Sequence, residues 1–441
     1  MKAVIQAGGQ GTRLRNVTKD QIPKPMVPVL GKPLLQWQIE KLRENEITEI
    51  FIITGHLGEI IRDYFEDGAK YGVRITYIAE TAPLGSAGAL YYMKPFLDPE
   101  EDILLLYGDV FFDIFLKRML DFHMKKQSEL TAFAHPNTHP QDSDILEVDA
   151  EQRVVGFLSK RGKRDFWHAN LVNGACYIIK AQIIFDMSRV GKLDFDEDIL
   201  REKAIQGGRV YAYRSTEYIK DAGTEERLRC IEAAIASGHI FRRNLKNRQK
   251  CIFLDRDGTI NKWNGLVDEE GKLELLDGAA EAIRTINDSE YLVIVITNQP
   301  VVARGLCSIE DVERIHKKMQ TLLGNQGVYV DDIAFCPHHP DKGFPGENAA
   351  YKVKCNCRKP NTGLIEEMAL KYNISLEDSW MVGDSIRDIM TGKNARMGTA
   401  LVLTGESGKD EGCDAGADII CRELREAVTQ ILRRDGWPGE F

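Results

Sequence analysis

Short, wholly apolar runs alternate with stretches of helical periodicity along the entire chain. Ala3-Val4-Ile5, Ile50-Phe51-Ile52-Ile53 and Ile103-Leu104-Leu105-Leu106 mark the first half, and Cys251-Ile252-Phe253-Leu254 and Val293-Ile294-Val295-Ile296 the second. Continuous apolar runs of strand length are what a sheet covered on both faces demands. Between them Leu35, Ile39 and Leu42 share one helical face, as do Ile283 and Ile286 behind the helix-start signal Asp277-Gly278. Each half therefore reads as α/β, a mostly parallel sheet with flanking helices. Helical periodicity ends after Ile235, and the basic stretch from Arg242 to Lys250 that follows reads as a solvated linker. The expected division is residues 1–240, a linker at 241–250, and residues 251–441.

Composition narrows the class. The 441 residues are enough for two domains, each with its own core. A net charge of −9 argues against a surface that coats nucleic acid or an anionic membrane. No apolar run approaches the roughly 20 residues of a membrane helix, and Met1-Lys2 leads into a strand rather than a signal peptide. The expectation is a cytoplasmic enzyme with small-molecule substrates, no nucleic-acid or membrane partner, and an oligomeric state left open. Nine cysteines without a secretion signal point to reduced thiols or metal ligands rather than a disulfide framework.

Two separate sets of phosphate-handling residues change the picture most. In the first half, Gly8, Gly9 and Gly11 follow the first strand, where glycine lets backbone N–H groups approach a polyphosphate. Arg13 adds a planar cation, and Lys24, stiffened by Pro23 and Pro25, a second. The spacing matches neither the dinucleotide fingerprint nor the P-loop. Asp109 and Asp221 each follow a strand-like run, at the sheet end where ligands bind, and as a pair they suit Mg²⁺ bridging phosphate oxygens.

Taken in order, Gly8-Gly9-Gln10-Gly11-Thr12-Arg13-Leu14, Lys24-Pro25-Met26, Glu80 with Pro83 to Ala89, Gly108-Asp109, Asn173-Gly174-Ala175 and Asp221-Ala222-Gly223-Thr224 resemble the sugar-1-phosphate nucleotidylyltransferases over residues 1 to about 235. The resemblance implies attack of a sugar phosphate oxygen on the α-phosphorus of an NTP with loss of pyrophosphate. It places Thr12 in the phosphate loop and Glu80, Gly85, Gly88 and Asn173 around the base or sugar. It also leaves Lys160 as a phosphate ligand, although Ser159-Lys160-Arg161 departs from the family's usual Glu-Lys-Pro, and Gln6 stands where the family is aliphatic.

In the second half, Asp255 and Asp257 end an apolar strand and precede Gly258-Thr259; Thr297, Lys359 and Gly383-Asp384 follow at later strand ends. This series resembles the haloacid dehalogenase superfamily of phosphatases over residues 250 to about 435. The resemblance implies a nucleophilic Asp255 forming an aspartyl-phosphate, Asp257 as general acid and base, Thr297 and Lys359 on the phosphoryl group, and Mg²⁺ held by Asp255, Asp257 and Asp384. Asp388 is a lesser candidate. Cys336, Cys355 and Cys357 with His338 or His339 supply the donors of a closed zinc site, and the resemblance favours His338. That loop, with Thr297-Asn298-Gln299 and Ala303-Arg304-Gly305, resembles the branch holding the D-glycero-D-manno-heptose 1,7-bisphosphate phosphatases and the histidinol-phosphate phosphatases. Asn298 then joins the substrate loop, in which Pro300-Val301-Val302 departs from the usual Ser-Gly-Ile. Arg304 and Arg358 are the cations expected to hold the far end of a bisphosphate.

Together the resemblances imply two Rossmann-like three-layer domains, a nucleotidyltransferase fold followed by a haloacid dehalogenase-like fold. The expected reactions are consecutive: removal of the 7-phosphate from a heptose 1,7-bisphosphate, then nucleotidyl transfer, GMP from GTP, to the heptose 1-phosphate. The alternatives are the same two activities on another sugar or on histidinol phosphate, and a phosphatase with a regulatory nucleotide-binding half.

Overall fold

The computed structural model describes residues 1–9, 14–80, 82–407 and 416–437. The chain forms two compact units.

The first unit is built on a nine-stranded mixed sheet. At its centre Asp102–Tyr107, Lys2–Ala7, Glu49–Thr54 and Arg74–Ala79 run parallel in that order. Val172–Lys180 then pairs antiparallel with Asp102–Tyr107, so the sheet is less uniformly parallel than its apolar runs predict. An apolar run reports that both faces are covered and carries no record of strand direction. Side-chain alternation sends Ala3, Ile5 and Ala7 to the face covered by the helix Leu34–Glu44, where Leu35, Ile39 and Leu42 join one core with Ile61 and Phe65 of Gly58–Phe65.

The second unit carries a six-stranded, wholly parallel sheet in the order Asp332–Cys336, Tyr291–Asn298, Lys250–Leu254, Trp380–Gly383, Gly398–Val402, Ile419–Cys421. Its strands read almost without interruption as buried residues because both faces are packed. Ile252, Leu254, Val293 and Val295 meet Ile283 and Ile286 of the helix Ala279–Asp288 and Val428 and Ile431 of Leu424–Arg434. Cys251, Phe253, Ile294 and Ile296 face the opposite core, with Leu364, Ile365 and Met368 of Gly363–Tyr372.

The second unit also takes in Pro136–Ser143 and Lys160–Leu171, two segments remote from it in sequence. They lie against the helix Ile309–Asn325: Thr321 Oγ1 accepts the His168 N–H and donates to the His168 carbonyl, both at 2.9 Å, and Gln320 Oε1 accepts the Asn170 N–H at 3.0 Å. Gly324 permits the approach of Pro140, since a Cβ there would stand 2.7 Å from the proline ring.

Candidate active sites

In the first unit the central strand Lys2–Ala7 delivers Gly8 and Gly9 to the carboxyl edge of the sheet. Glycine at 8 leaves the Glu80 carboxylate its present place, since a Cβ there would lie 2.3 Å from Glu80 Oε2. Glu80 is anchored by its own N–H to the Thr54 carbonyl (2.7 Å), and its Oε1 accepts the Leu84 N–H. Gly85 adopts φ +77°, with the Leu193 carbonyl where a side chain would begin, which holds the segment after Glu80 tight against residues 191–193.

Lys24 sits in a short turn bracketed by Pro23 and Pro25, and its Nζ forms an ion pair with Asp109 Oδ2. Asp109 follows the strand Asp102–Tyr107. The chain then turns into Val110–Asp113, which pairs antiparallel with Tyr218–Asp221 so that Asp221 lies opposite Val110. The Ala222 N–H donates to the Asp109 carbonyl at 2.7 Å, bringing the two aspartates to one end of this ribbon. Asp221 accepts from Arg227 Nη1 at 2.5 and 2.6 Å. Burial raises its proton affinity, but the charges of Arg227 and then Lys24 outweigh that and hold it below the ordinary carboxylate range. Gly8, Gly9, Lys24, Glu80, Gly85 and Asp109 border one cleft of about 430 Å³, together with Tyr107 and Lys192.

Four predicted residues are not among those bordering the cleft: Asp221, Gly88, Asn173 and Lys160. Gly88 serves packing, a Cβ there meeting the Gly191 carbonyl at 2.0 Å. Asn173 Nδ2 donates to Asp196 Oδ1 at 2.8 Å, and Tyr107 Oη donates to Asp196 Oδ2 at 3.2 Å, so Asn173 reaches the cleft only through Asp196. Burial pushes Asp196 up to about 6. Lys160 is not among the cleft residues; it begins the Lys160–Leu171 segment of the second unit. Gly11, Thr12 and Arg13 lie outside the described residues.

The second unit gathers its set at the carboxyl ends of three adjacent strands. Asp255 follows Lys250–Leu254, Thr297 and Asn298 close Tyr291–Asn298, and Asp384 follows Trp380–Gly383. Lys359 Nζ lies 2.9 Å from Asp255 Oδ1 and is also paired with Asp388. Asp255, Asp384 and Asp388 bring carboxylate oxygens within 4.8 Å of one another. Burial and then mutual repulsion push Asp384 up, and burial pushes Asp255 up despite Lys359. Three crowded carboxylates with one lysine are a donor set that fits a hard divalent cation. Gly258, at φ +78°, and Gly405 leave room for Asp384, whose Oδ2 would lie 2.3 and 1.9 Å from a Cβ at either position.

Asp388 was the lesser candidate, and its oxygens are largely spoken for: Oδ1 pairs with Lys359, while Oδ2 accepts from Ser385 N–H (3.1 Å) and Oγ (2.7 Å) as a capping box. Asn298 fastens the lysine's peptide, donating to the Lys359 carbonyl at 3.1 Å and accepting the Lys359 N–H at 3.0 Å. Thr297 is buried beside Gln299, which donates to Thr297 Oγ1 at 3.0 Å and to Asp257 Oδ2 at 2.8 Å. The cavity above these residues measures about 400 Å³, and Arg304 and Arg358 border it, with Trp263, His339 and Arg387 that sequence reasoning did not single out. Arg304 stacks 4.7 Å over Phe344. Val301 and Val302, at the unusual Pro300-Val301-Val302, are buried against Val312.

Cys336, His338, Cys355 and Cys357 converge. His338 Nδ1 lies 3.2 Å from Cys357 Sγ and 3.6 Å from Cys336 Sγ, and the sulfur pairs are 3.2–3.6 Å apart. A tetrahedron with Zn–S bonds of ~2.3 Å has edges of about 3.8 Å, so the Cys₃His set fits zinc with small outward adjustments. His339 is not part of this group. Among the described residues no helix is long and apolar enough to cross a membrane.

Comparison with known proteins finds a different family in each half of the chain. Residues 2–238 match the family described as Nucleotidyl transferase, and residues 356–427 the one described as HAD-hydrolase-like. Over 185 residues, 42% of this chain and 96% of the other, the sequence is 37% identical to a D-glycero-beta-D-manno-heptose-1,7-bisphosphate 7-phosphatase of Yersinia pestis. It is 34% identical over 191 residues to the protein of that name in Escherichia coli (strain K12), covering 43% of this chain and 97% of the relative. Among solved structures, HddC from Yersinia pseudotuberculosis complexed with GMP-PN shares 25% identity at a TM-score of 0.46, over 53% of this chain and 99% of that one.

Proposed function

On the premise that the chain belongs to the nucleotidyl transferase family through its first half and to the haloacid dehalogenase-like hydrolases through its second, we propose that it performs two consecutive steps of nucleotide-sugar synthesis on a heptose. It is a nucleotidyltransferase and a phosphatase; the pathway, the order of steps and the residue roles are our reading. The phosphatase half first removes the 7-phosphate of D-glycero-D-manno-heptose 1,7-bisphosphate, and the transferase half then joins the remaining 1-phosphate to a nucleotide, GMP from GTP. The observation that carries this is the coexistence of two sets of charged side chains, Lys24–Asp109–Asp221 and Lys359–Asp255–Asp384, one in each unit. The product that the relatives' name implies is of the class the transferase family accepts.

In the phosphatase half Asp255 attacks phosphorus on the side guarded by Lys359, whose buried ammonium balances charge on the phosphoryl oxygens. Asp257 donates a proton to the departing sugar oxygen and then takes one from the water that frees Asp255. Asp255 and Asp384 would hold Mg²⁺, which when bound offsets the charge of the transferring group. Arg304 and Arg358 bind the far phosphate. In the transferase half Lys24 and Arg13 draw the polyphosphate onto the Gly8-Gly9 turn, and Asp109 and Asp221 would hold a second Mg²⁺. Zinc held by Cys336, His338, Cys355 and Cys357 would be structural, fixing the segment that leads to Lys359.

Guanine is the base with two adjacent N–H donors on its pairing edge, and Glu80 offers the cleft a carboxylate, the complementary double acceptor. The cellular setting is cytoplasmic, where nucleotide and Mg²⁺ pools supply both steps. The test is product analysis after incubation with heptose 1,7-bisphosphate, Mg²⁺ and each NTP in turn. The expected result is heptose 1-phosphate without NTP and an NDP-heptose with GTP. Free heptose, or faster turnover of histidinol phosphate, would overturn the pathway while leaving both reaction classes in place.

A further inference from the structure

Between the two aspartates of the phosphatase strand end lies Arg256, the largest wholly buried side chain among the described residues and one to which nothing above gives a task. Its Nε donates to Asp257 Oδ1 at 3.0 Å, and its Nη2 lies 2.9 Å from both Asp257 oxygens. Asn261 Nδ2 adds a donor to Oδ1 at 3.0 Å and Gln299 Nε2 one to Oδ2 at 2.8 Å. The other arm of the guanidinium, Nη1, points away from the aspartate to His316 Nε2 at 3.2 Å. His316 comes from the helix Ile309–Asn325, is itself buried, and is set edge-on against Phe335 with ring centres 5.3 Å apart. Burial and then the Arg256 charge hold the imidazole neutral, leaving a nitrogen lone pair to accept Nη1–H.

A buried guanidinium is an expensive way to fill space, and an apolar side chain of similar volume would stabilise the fold as well or better. The arrangement makes sense as alignment. A carboxylate gripped through both oxygens by a planar fork cannot rotate, and the fork cannot tilt while its far arm is held by His316. We propose that Arg256, braced by His316, is the positioning residue that aims the Asp257 carboxyl at the leaving oxygen of the phosphate ester. This rests on the phosphatase reading above. As the Asp255 oxygen–phosphorus bond forms and the bond from phosphorus to the sugar oxygen breaks, the electron pair stays on the sugar oxygen, which takes the Asp257 proton. Asp257 is left as the carboxylate that Arg256 already faces.

The consequence differs from that of a merely structural residue. An alkyl leaving group needs the proton, whereas a nitrophenolate leaves without one. We therefore compare kcat/KM, which reports steps through departure of the alcohol, on heptose 1,7-bisphosphate and on p-nitrophenyl phosphate. Arg256→Lys keeps the charge and loses the fork. It is expected to lower kcat/KM for the bisphosphate about 100-fold, the lower end of what a placed general acid contributes, and that for the nitrophenyl ester no more than about 3-fold. His316→Leu removes the brace without touching Asp257 and should show the same selective loss, smaller in size. His316→Gln, which restores an acceptor, should recover most of it. Equal losses on the two esters in either Arg256→Lys or His316→Leu, or no loss in both, would overturn the proposal and leave the phosphatase reading intact. If the unaltered protein turns over neither ester, the phosphatase reading fails and this proposal with it.

Discussion

Lys359 Nζ and Asp255 Oδ1 are 2.9 Å apart in a pocket where the lysine is almost wholly enclosed. Among the described residues that ammonium is ion-paired with both Asp255 and Asp388, which places it to balance charge both before and after a phosphoryl group arrives. Lys359→Gln should keep the side chain's length while removing the charge. Phosphate release is expected to fall by roughly 100- to 1,000-fold, the size of losing one electrostatic contact to a transition state, while pyrophosphate release by the first half is unchanged. Measuring both products in one preparation decides it; a parallel loss would show that the two sites are not separate.

Crowding of the same carboxylates gives a pH signature. Asp384 is pushed up to about 8, chiefly by burial. A carboxyl whose folded pKa is raised binds more protons folded than unfolded across the interval from ~4 to its raised value, so stability falls as pH rises through it. The metal-free protein should therefore lose thermal stability between pH 5 and 8, and 10 mM Mg²⁺ should restore more at pH 8 than at pH 5. Thermal melts with Mg²⁺ or EDTA check this. A magnesium increment that is flat with pH would exclude these carboxylates as the ligands.

The Cys336, His338, Cys355 and Cys357 cluster predicts one equivalent of tightly held zinc per chain by elemental analysis. Cys355→Ser should lose the metal, lower the Tm of the phosphatase transition, and reduce phosphate release without affecting pyrophosphate release. Full phosphatase activity, with Mg²⁺ supplied, in zinc-free protein would reduce the cluster to packed thiols.

Much of this was readable from the chain because strand ends announce themselves. An apolar run followed by Asp-x-Asp-Gly or Gly-Asp puts carboxylates at a sheet edge whatever the rest of the fold does, which is how Asp255, Asp384 and Asp109 were found. Residues whose role depends on distant partners were not readable. Asp388 is legible only as a lesser candidate, because locally it reads as a helix cap and only the fold brings Lys359 to it. Asp196 sits in the acidic start of an irregular helical turn, and its link between Asn173 and Tyr107 spans three separate elements. Nothing local marks Pro136–Ser143 and Lys160–Leu171 as belonging with the second unit, since the contact is made by Thr321, Gln320 and the bare Cα of Gly324, 150 or more residues away. That is also why Lys160 was assigned on resemblance to a cleft it does not line.

Glu80 carries the last prediction. Its Oε1 is held by the Leu84 N–H, which leaves Oε2 poised over Gly8 at the edge of the cleft. If that carboxylate reads the N1–H and N2–H of guanine, Glu80→Gln replaces one acceptor by a donor and sets an N–H against an N–H. A bidentate base contact discriminates by about 1–3 kcal/mol, roughly 5- to 150-fold. Glu80→Gln should lower kcat/KM for GTP by that range and raise UTP or dTTP relative to it, because uracil and thymine present an acceptor beside their N3–H and an amide matches that pair. Phosphate release from heptose 1,7-bisphosphate should be untouched, which separates a change in base selection from general damage. Competition between GTP and UTP in one reaction, read by separating the nucleotide products, gives the ratio directly. An unchanged ratio would remove Glu80 from base recognition and, with it, the physical argument for guanine.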